Sequence, residues 1–489
     1  MPARRSETVM KKTLLFSLLS LILLSNLSAQ EYLPKYYPEK DPLVLQQLER
    51  WQGIKFGLLM HWGPYSQWGV VESWSICAED EDWCRRSNPN YVEYKKQYEG
   101  LKKTFNPVKF DPDKWALAAK DAGMRYVVFT AKHHDGFSMF DTQQTDYRIT
   151  DPGCAFSTNP KANVTKEIFD AFRKQGFMIG AYFSKPDWHN ENYWWPNFAT
   201  PDRNVNYDIR KYPERWQKFV EFTQNQIMEL MTGYGRVDIL WLDGGWVRVK
   251  TDAEIREAML SARYATRPRS QDINMPELVR KAREKQPGLI VVDRAVEGPY
   301  QNYLTPENQV PGKLLPYPWE SCIIMGGGWS YSFNARYKSA HNLIQMLADI
   351  VAKGGNLLLN IAPSPEGTWD DEAYARLRQI GAWMKVNGEA IYNSHPLAPY
   401  RDGKMGYTQL KDGTAYALYL ADVDEKTLPA QIRLSTITPA RNATVTLLGT
   451  KENLKWEKRG NEVFVLIPES LRKDPPCEHA WVVKISAVE

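Results

Sequence analysis

Two patterns in the 489-residue sequence predict an α/β fold, in which a (β/α)8-like, TIM-type barrel is followed by a C-terminal antiparallel β-sandwich. From about residue 50 to 390, short apolar runs alternate with longer amphipathic stretches, which is typical of parallel strands covered by helices. From about residue 400 onward, short runs of alternating apolar and polar residues recur, as in antiparallel sheets. No GxGxxG or GxxxxGKS/T motif follows a predicted strand, which favours a barrel over nucleotide-binding sheets.

The predicted elements of the barrel carry clear start and stop signals. One predicted helix, residues 111–122, opens with Asp111 as its N-cap and Pro112 at its first helical position. The others cover 216–231 and 337–353, and the last of them stops at Gly354. The predicted barrel strands are 54–61, 126–131, 177–183, 237–243, 289–293 and 356–361, and the predicted sandwich strands are 416–420, 431–434, 444–448, 463–467 and 481–485.

The N-terminus has the pattern of a secretory signal peptide. A basic pair, Lys11 and Lys12, precedes an apolar run and then small residues, with a cleavage position after Ala29. The residues ahead of Met10 fit this pattern poorly, so we expect translation to begin at Met10. We therefore expect residues 1–29 to be a signal peptide, 30–395 the catalytic barrel and 396–489 the sandwich, in an exported protein that is periplasmic or secreted.

Charge and cysteine content limit the partners that we expect. The formal net charge of +4 is too small to predict a nucleic-acid binder. The leader's apolar run is too short for a transmembrane helix, so we expect no membrane insertion once the leader is removed. The sequence carries no signal for an oligomeric state. Five cysteines leave at least one unpaired in an exported protein, and Cys77 and Cys84 are spaced to close a small loop.

Polar side chains gather at the predicted ends of the barrel strands. Because catalytic groups of such barrels lie at the C-terminal ends of the strands, these positions are informative together, although each alone has an ordinary structural explanation. Four of the seven histidines lie at or just beyond such ends, interleaved with tryptophans. The residues are His61, His133, His134, Asp187, His189, Asp243 and Arg294. This pattern predicts a concave polar and aromatic site.

A metal or a sugar would suit such a site. A metal would use His61, His133, His134, Asp187 and His189, but neighbouring histidines on an extended run point to opposite faces, and HxH and HExxH motifs are absent. A sugar would use imidazoles as hydrogen-bond partners for hydroxyls, carboxylates for the chemistry and tryptophan faces for stacking. We favour the sugar, and we expect neither a metal nor an organic cofactor.

Several blocks resemble glycoside hydrolase family 29, the retaining α-L-fucosidases. The resemblance spans roughly residues 45–395, and that family has the same order of barrel and sandwich. The blocks that carry it are KFG at 55–57, HWGPYS at 61–66, GMRYVVFTAKHHDGF at 123–137, LWLDG at 240–244, WESC at 319–322, WSY at 329–331, GGNLLLNI at 354–361 and NGEAIY at 387–392.

The resemblance implies roles for individual residues. Asp243 matches the nucleophile, and the matching fucose-binding positions are His61, His133, His134, Tyr182, Arg294 and Trp329. Glu72 and Trp74 resemble the family's Glu-Trp pair, although Ser73 intervenes here. The acid/base candidates are Glu297, Glu307 and Glu320. Glu307 fits the family's acid/base segment best, Glu297 is second, and Glu320 resembles a structural residue.

The resemblance predicts an exported, exo-acting α-L-fucosidase that releases terminal fucose from a fucosylated oligosaccharide or glycoconjugate with retention. Phe137, Trp246 and Trp329 are candidates for the pocket around the 6-methyl group of fucose. Since an L-galactoside differs there by one oxygen, an α-L-galactosidase or a mixed hydrolase is an alternative. A non-catalytic carbohydrate-binding protein is another. No motif reports the linkage that is cleaved, although the insertion 249–282 is expected to influence it.

Overall fold

The computed structural model describes residues 35–77, 86–198, 202–261, 267–435 and 437–489. The predicted signal peptide, residues 1–29, and Cys84, the expected partner of Cys77, lie outside the described residues. Tyr37–Glu489 form one compact unit, so the barrel and the sandwich are parts of a single body. Within the described ranges, no helix combines the length and apolar character needed to cross a membrane.

Seven parallel strands form the barrel sheet, in the order β5-β4-β3-β2-β1-β7-β6. All six predicted barrel strands are confirmed. The seventh, β6, escaped prediction because its sequence, ESCII, begins with polar residues instead of an apolar run. The strands are β1 Phe56–Met60, β2 Tyr126–Lys132, β3 Met178–Ser184, β4 Ile239–Asp243, β5 Ile290–Asp293, β6 Glu320–Ile324 and β7 Asn356–Asn360.

Helices cover the outside of this sheet. The predicted start at Asp111 is confirmed, since its side chain accepts a hydrogen bond from the Lys114 amide and Pro112 is the first helical residue. The helices of the barrel region are α1 Pro42–Ile54, α2 Tyr91–Gly100, α3 Pro112–Asp121, α4 Val164–Lys174, α5 Pro213–Gly233, α6 Asp252–Ser261, α7 Met275–Lys285, α8 Ala340–Ala352 and α9 Asp371–Asn387. They include all three predicted helices.

An irregular extended segment, residues 301–308, bridges the two edge strands β5 and β6. The Asn302 amide donates to the Val291 carbonyl of β5 at 2.9 Å, and the Cys322 amide of β6 donates to the Pro306 carbonyl at 3.1 Å. Pro306 has no N–H of its own, so the segment cannot form a regular ladder. It runs parallel to β6, with Glu307 bridged to Cys322. Glu307 is thereby placed at the C-terminal end of the barrel.

The C-terminal region is a two-sheet antiparallel structure, and its five predicted strands are confirmed. One sheet has the order β12-β15-β10-β9-β8 and the other β11-β14-β13. The unpredicted strands contain two prolines (β8), a glycine (β9) or mainly charged residues (β13). The elements are β8 His395–Asp402, β9 Met405–Gln409, β10 Ala415–Leu420, β11 Gln431–Arg433, β12 Val445–Leu447, β13 Trp456–Arg459, β14 Glu462–Leu466, α10 Glu469–Lys473 and β15 Ala480–Ile485.

The larger of these sheets is buried on both faces. Alternate side chains of its central strands, such as Leu418 and Val482, join the hydrophobic cluster of the barrel, while Ala417 and Val483 join the core between the two sheets. Trp383 of α9 also donates its indole N–H to the Ala480 carbonyl at 2.9 Å. The sandwich therefore packs directly on the helices of the barrel, as expected for a domain that covers it.

Candidate active site

A cavity of about 190 Å³ lies at the C-terminal ends of the barrel strands. It is smaller than the roughly 300–1,000 Å³ of sites for drug-sized ligands, which indicates a ligand about the size of one sugar ring. Eleven of its lining residues were predicted as catalytic or sugar-binding positions. The lining residues are Leu59, His61, Glu72, Trp74, His133, His134, Tyr182, Arg203, Trp241, Asp243, Trp246, Arg294, Glu307, Cys322 and Trp329.

Asp243, the last residue of β4, accepts hydrogen bonds at both carboxylate oxygens. Tyr182 donates its hydroxyl to Oδ2 at 2.6 Å, and Arg294 donates Nη1 to Oδ1 at 3.1 Å. Burial by itself raises the pKa of Asp243, but the charge of Arg294, the nearby His134 and the Tyr182 hydrogen bond outweigh it and hold the pKa well below its usual range. Asp243 is therefore an ionised carboxylate throughout the neutral pH range.

The glycine that follows Asp243 shapes this site. Gly244 has φ +87, and its amide donates to Asp243 Oδ1 at 2.8 Å. A Cβ atom at this position would lie 2.3 Å from Cδ of Pro186. Both the left-handed backbone and the close packing therefore require glycine here.

Arg294 connects the two candidate catalytic carboxylates. Its Nη1 contacts Asp243, and its Nη2 pairs with Oε2 of Glu307. Trp329 fixes the other oxygen of Glu307 through an indole N–H donated at 3.1 Å. The side chain of Glu307 is 43% exposed and that of Asp243 14%. Glu307 therefore lies at the mouth of the cavity and Asp243 deeper within it.

Three histidines line the cavity as neutral rings. His61 Nδ1 contacts Asn360 Oδ1 at 2.9 Å, and His133 Nδ1 contacts the Ser73 hydroxyl at 2.5 Å. Burial lowers the pKa of His61 to about 4 and that of His134 to about 3, and it lowers the pKa of His133 well below its usual value. Because a neutral imidazole has one donor and one acceptor nitrogen, these rings suit sugar hydroxyls.

The expectation that His133 and His134 point to opposite faces is wrong. Their ring centroids lie 4.1 Å apart, and both rings line the cavity. Strand β2 ends at Lys132, so the alternation of a strand does not extend to this pair. Ligand atoms of His133, His134 and Asp243 lie within 4.8 Å of one another, which is close enough to hold a metal ion. The positive charge of Arg294 would repel a metal cation bound beside Asp243.

The other residues considered as metal ligands have different partners. Asp187 Oδ2 accepts from Lys132 Nζ at 3.1 Å in a buried ion pair. His189 Nδ1 contacts Glu99 Oε1 at 2.8 Å. The structure therefore directs both side chains into contacts outside the cavity lining.

Glu72 and Trp74 both line the cavity despite the intervening Ser73. The 3-10 turn Ser73–Ile76 accommodates the extra residue, whose hydroxyl contacts His133. Burial raises the pKa of Glu72 to about 7, although hydrogen bonds from Ser330 oppose part of the effect. Glu72 is consequently protonated in a large fraction of molecules near neutral pH.

Three residues considered from the sequence lie outside the cavity lining. Glu297 is exposed on the loop that follows β5. Glu320 lies inside the barrel, where it accepts from Tyr126 Oη at 2.7 Å, in agreement with a structural role. Phe137 packs against Tyr147 with ring centroids 5.2 Å apart, so it does not form part of the expected methyl pocket. Trp246 and Trp329, the other candidates for that pocket, do line the cavity.

Four lining residues were not predicted from the sequence: Leu59, Arg203, Trp241 and Cys322. Two of them could have been predicted from the two-residue alternation of a strand, because Leu59 and Trp241 lie two residues before His61 and Asp243. Arg203 carries no motif. Its guanidinium lies 4.8 Å and 5.1 Å from the rings of Trp74 and Trp246, and Tyr193 donates its hydroxyl to the Arg203 carbonyl at 2.8 Å.

Comparisons with known proteins agree with this geometry. The α-L-fucosidase family matches residues 23–389, and the α-L-fucosidase C-terminal domain matches residues 401–486. Human plasma α-L-fucosidase is 28% identical over 479 residues, which cover 93% of each chain. The structure of α-L-fucosidase isoenzyme 1 from Paenibacillus thiaminolyticus is 27% identical, with a TM-score of 0.70 over 91% of this chain and 100% of that chain.

A more distant structure shares the fold. It is a GH29 α-L-fucosidase from Bacteroides thetaiotaomicron, described as a trapped covalent intermediate with 2-fluoro-fucosyl fluoride. It is 22% identical, with a TM-score of 0.69 over 94% of this chain and 99% of that chain. The family matches and the shared architecture confirm the resemblance read from the sequence, and the chain belongs to the α-L-fucosidase family of glycoside hydrolases.

Proposed function

We propose that this protein is an exported, retaining exo-α-L-fucosidase that hydrolyses terminal α-L-fucosyl residues of glycans by double displacement. Asp243 is the nucleophile and Glu307 the general acid/base. The observation that carries the proposal is the contact of Arg294 with both carboxylates, one buried and ionised and the other at the cavity mouth. Export rests on the signal-peptide pattern of residues 1–29.

In the first displacement, a carboxylate oxygen of Asp243 attacks C1 of the fucosyl ring as the bond from C1 to the leaving oxygen breaks. Glu307, protonated at that moment, transfers its proton to the leaving oxygen, and a glycosyl ester of Asp243 forms. The low pKa of Asp243 supports its role, since the attacking group must be ionised. The covalent intermediate described for the Bacteroides structure is also consistent with this step.

In the second displacement, Glu307 takes a proton from water, whose oxygen attacks C1. The ester bond to Asp243 breaks, and the carboxylate is restored. Two inversions at C1 give net retention, which requires carboxyl groups only about 5–5.5 Å apart, with no room for a water between them in the first step. One guanidinium that contacts both groups supports such a short separation.

Neutral polar groups are proposed to hold the ring. His61, His133 and His134 offer donor and acceptor nitrogens to the hydroxyls, and protonated Glu72 offers a further donor. The small cavity admits one sugar ring, which is the requirement for removing terminal residues.

Replacement of the nucleophile tests the function directly. We expect Asp243→Gly to lower kcat/KM for an aryl α-L-fucoside by at least about 10³-fold, because no covalent ester forms. Sodium azide should partly restore turnover by occupying the vacated space and attacking C1, giving a fucosyl azide of inverted configuration. Asp424→Gly, at an exposed loop position, is the control. Wild-type rates in Asp243→Gly would refute the assignment.

The acid/base assignment predicts a dependence on the leaving group. Glu307→Gln should slow release from an unactivated sugar by about 10²–10⁴-fold, because that oxygen leaves only when it is protonated. An activated nitrophenolate leaves without a proton, so its release should be affected much less. Glu297→Gln is the matched control. If Glu297→Gln showed this dependence and Glu307→Gln did not, the proton donor would be Glu297.

The raised pKa of Glu72 predicts a pH-dependent stability difference. The folded protein retains this proton up to about pH 7, whereas the unfolded chain loses it near pH 4.5. Wild-type protein should therefore lose stability relative to Glu72→Gln as pH rises from about 4.5 to 7, by at most about 3 kcal/mol. Urea unfolding of both proteins at pH 5 and pH 8 measures this change. A stability difference that is the same at both pH values would contradict the burial of an ionisable Glu72.

A further inference from the structure

An exposed aromatic ring lies four residues after Trp329, which lines the cavity. Phe333 is 56% exposed, on the loop of residues 327–336 that follows β6. The ring packs over Gly69, where an added Cβ would lie 2.6 Å from Phe333 Cδ2. Because Gly69 has no side chain, the Phe333 ring packs against its backbone. Part of the ring remains open to solvent.

Several contacts hold this ring in place. Gly326 and Tyr337 pair in an antiparallel bridge that closes the base of the loop. Tyr331 contacts Phe333 edge-on, with ring centroids 5.5 Å apart. Ser330 donates its hydroxyl to the Val70 carbonyl at 2.6 Å, which connects the loop to the segment that carries Gly69. A ring fixed before binding loses little conformational entropy when a ligand covers it.

The same two loops each contribute a residue to the cavity lining, and one of them contacts the proposed proton donor. Trp329, four residues before Phe333, donates to Glu307, and Ser330 hydrogen-bonds to Glu72. Both Trp329 and Glu72 line the cavity. The leaving oxygen must lie next to Glu307 to receive its proton, so the released part of the substrate passes close to these loops.

We infer that Phe333, backed by Gly69 and supported at its edge by Tyr331, is a leaving-group subsite that stacks against a sugar ring of the released glycan. This inference rests on the proposed function. A pyranose ring presents C–H bonds on one face, and an exposed phenyl face buries that apolar surface without hydrogen bonds. An exposed aromatic surface beside a catalytic cavity is typical of such recognition.

The experiment compares two substrates that differ in the leaving group. α-L-Fucosyl fluoride has no glycan to contact the subsite, whereas a fucosylated trisaccharide does. Phe333→Ala should lower kcat/KM for the trisaccharide about 3- to 10-fold, the usual contribution of one aromatic contact, and should leave fluoride hydrolysis unchanged. Phe333→Trp, which keeps an aromatic ring at this position, should retain the wild-type rate on the trisaccharide. Phe198→Ala, which removes a ring 41% exposed on the loop after β3, is the control and should change neither rate.

Four results would overturn the inference. Equal losses on both substrates would assign Phe333 a structural role in the cavity, and no loss on either would mean that the ring contacts no substrate. A trisaccharide-specific loss in Phe198→Ala instead would place the subsite on the loop after β3. Wild-type protein that leaves fucosyl fluoride intact would refute the proposed function itself, and the subsite with it.

Discussion

The cation of Arg294 organises the site, because both candidate catalytic carboxylates contact it. Its position depends on the ends of the neighbouring strands. The Arg294 amide donates to the Leu242 carbonyl at 3.0 Å, and the preceding Asp293 forms a buried ion pair with Lys185 at 2.5 Å. Loss of either partner of such a pair leaves an uncompensated buried charge, which is strongly destabilising. The barrel therefore supports Arg294 from beneath, and Arg294 in turn keeps Asp243 ionised.

Asp243 and Glu307 differ in exposure because Asp243 lies at the end of a regular strand and Glu307 lies on an irregular segment. Asp243 ends the inner strand β4. It accepts hydrogen bonds from Tyr182 of β3 and from Arg294, which follows β5. Glu307 belongs to the irregular segment 301–308, which Pro306 prevents from becoming a regular strand. That segment places Glu307 at the mouth, where its side chain is partly exposed. In the proposed double displacement, the more exposed Glu307 is the carboxylate that activates water in the second step.

The fold was predictable wherever the sequence pattern follows from burial. Strands covered on both faces are mostly apolar, and six of the seven barrel strands have this signature. Strand β6 does not, because it begins with two polar residues: Glu320 accepts a hydrogen bond from Tyr126 inside the barrel, and Ser321 donates its hydroxyl to the Gln309 carbonyl. Prolines in β8, a glycine in β9 and charged residues in β13 likewise concealed three sandwich strands, whose pairing depends on the rest of the sheet.

The candidate site was predictable where residues adjoin strand ends or family motifs, but not where long loops return to the cavity. Arg203 reaches the lining through the loop after β3, which carries no periodic signal. The orientation of His133 and His134 was also beyond the sequence, since it depends on the residue at which β2 ends. Phe333 belongs to no motif, and its contact with Gly69, which is distant in the sequence, was not predictable.

The most direct test of this account is to identify the residue that bonds covalently to the sugar. The purified protein is incubated with 2-fluoro-fucosyl fluoride, which slows release of the glycosyl enzyme, and is then digested and examined by tandem mass spectrometry. We expect one label per chain, on the peptide that contains Asp243, with fragmentation assigning it to that side chain. A label on any other residue, or complete fluoride release with no labelled peptide, would contradict the account.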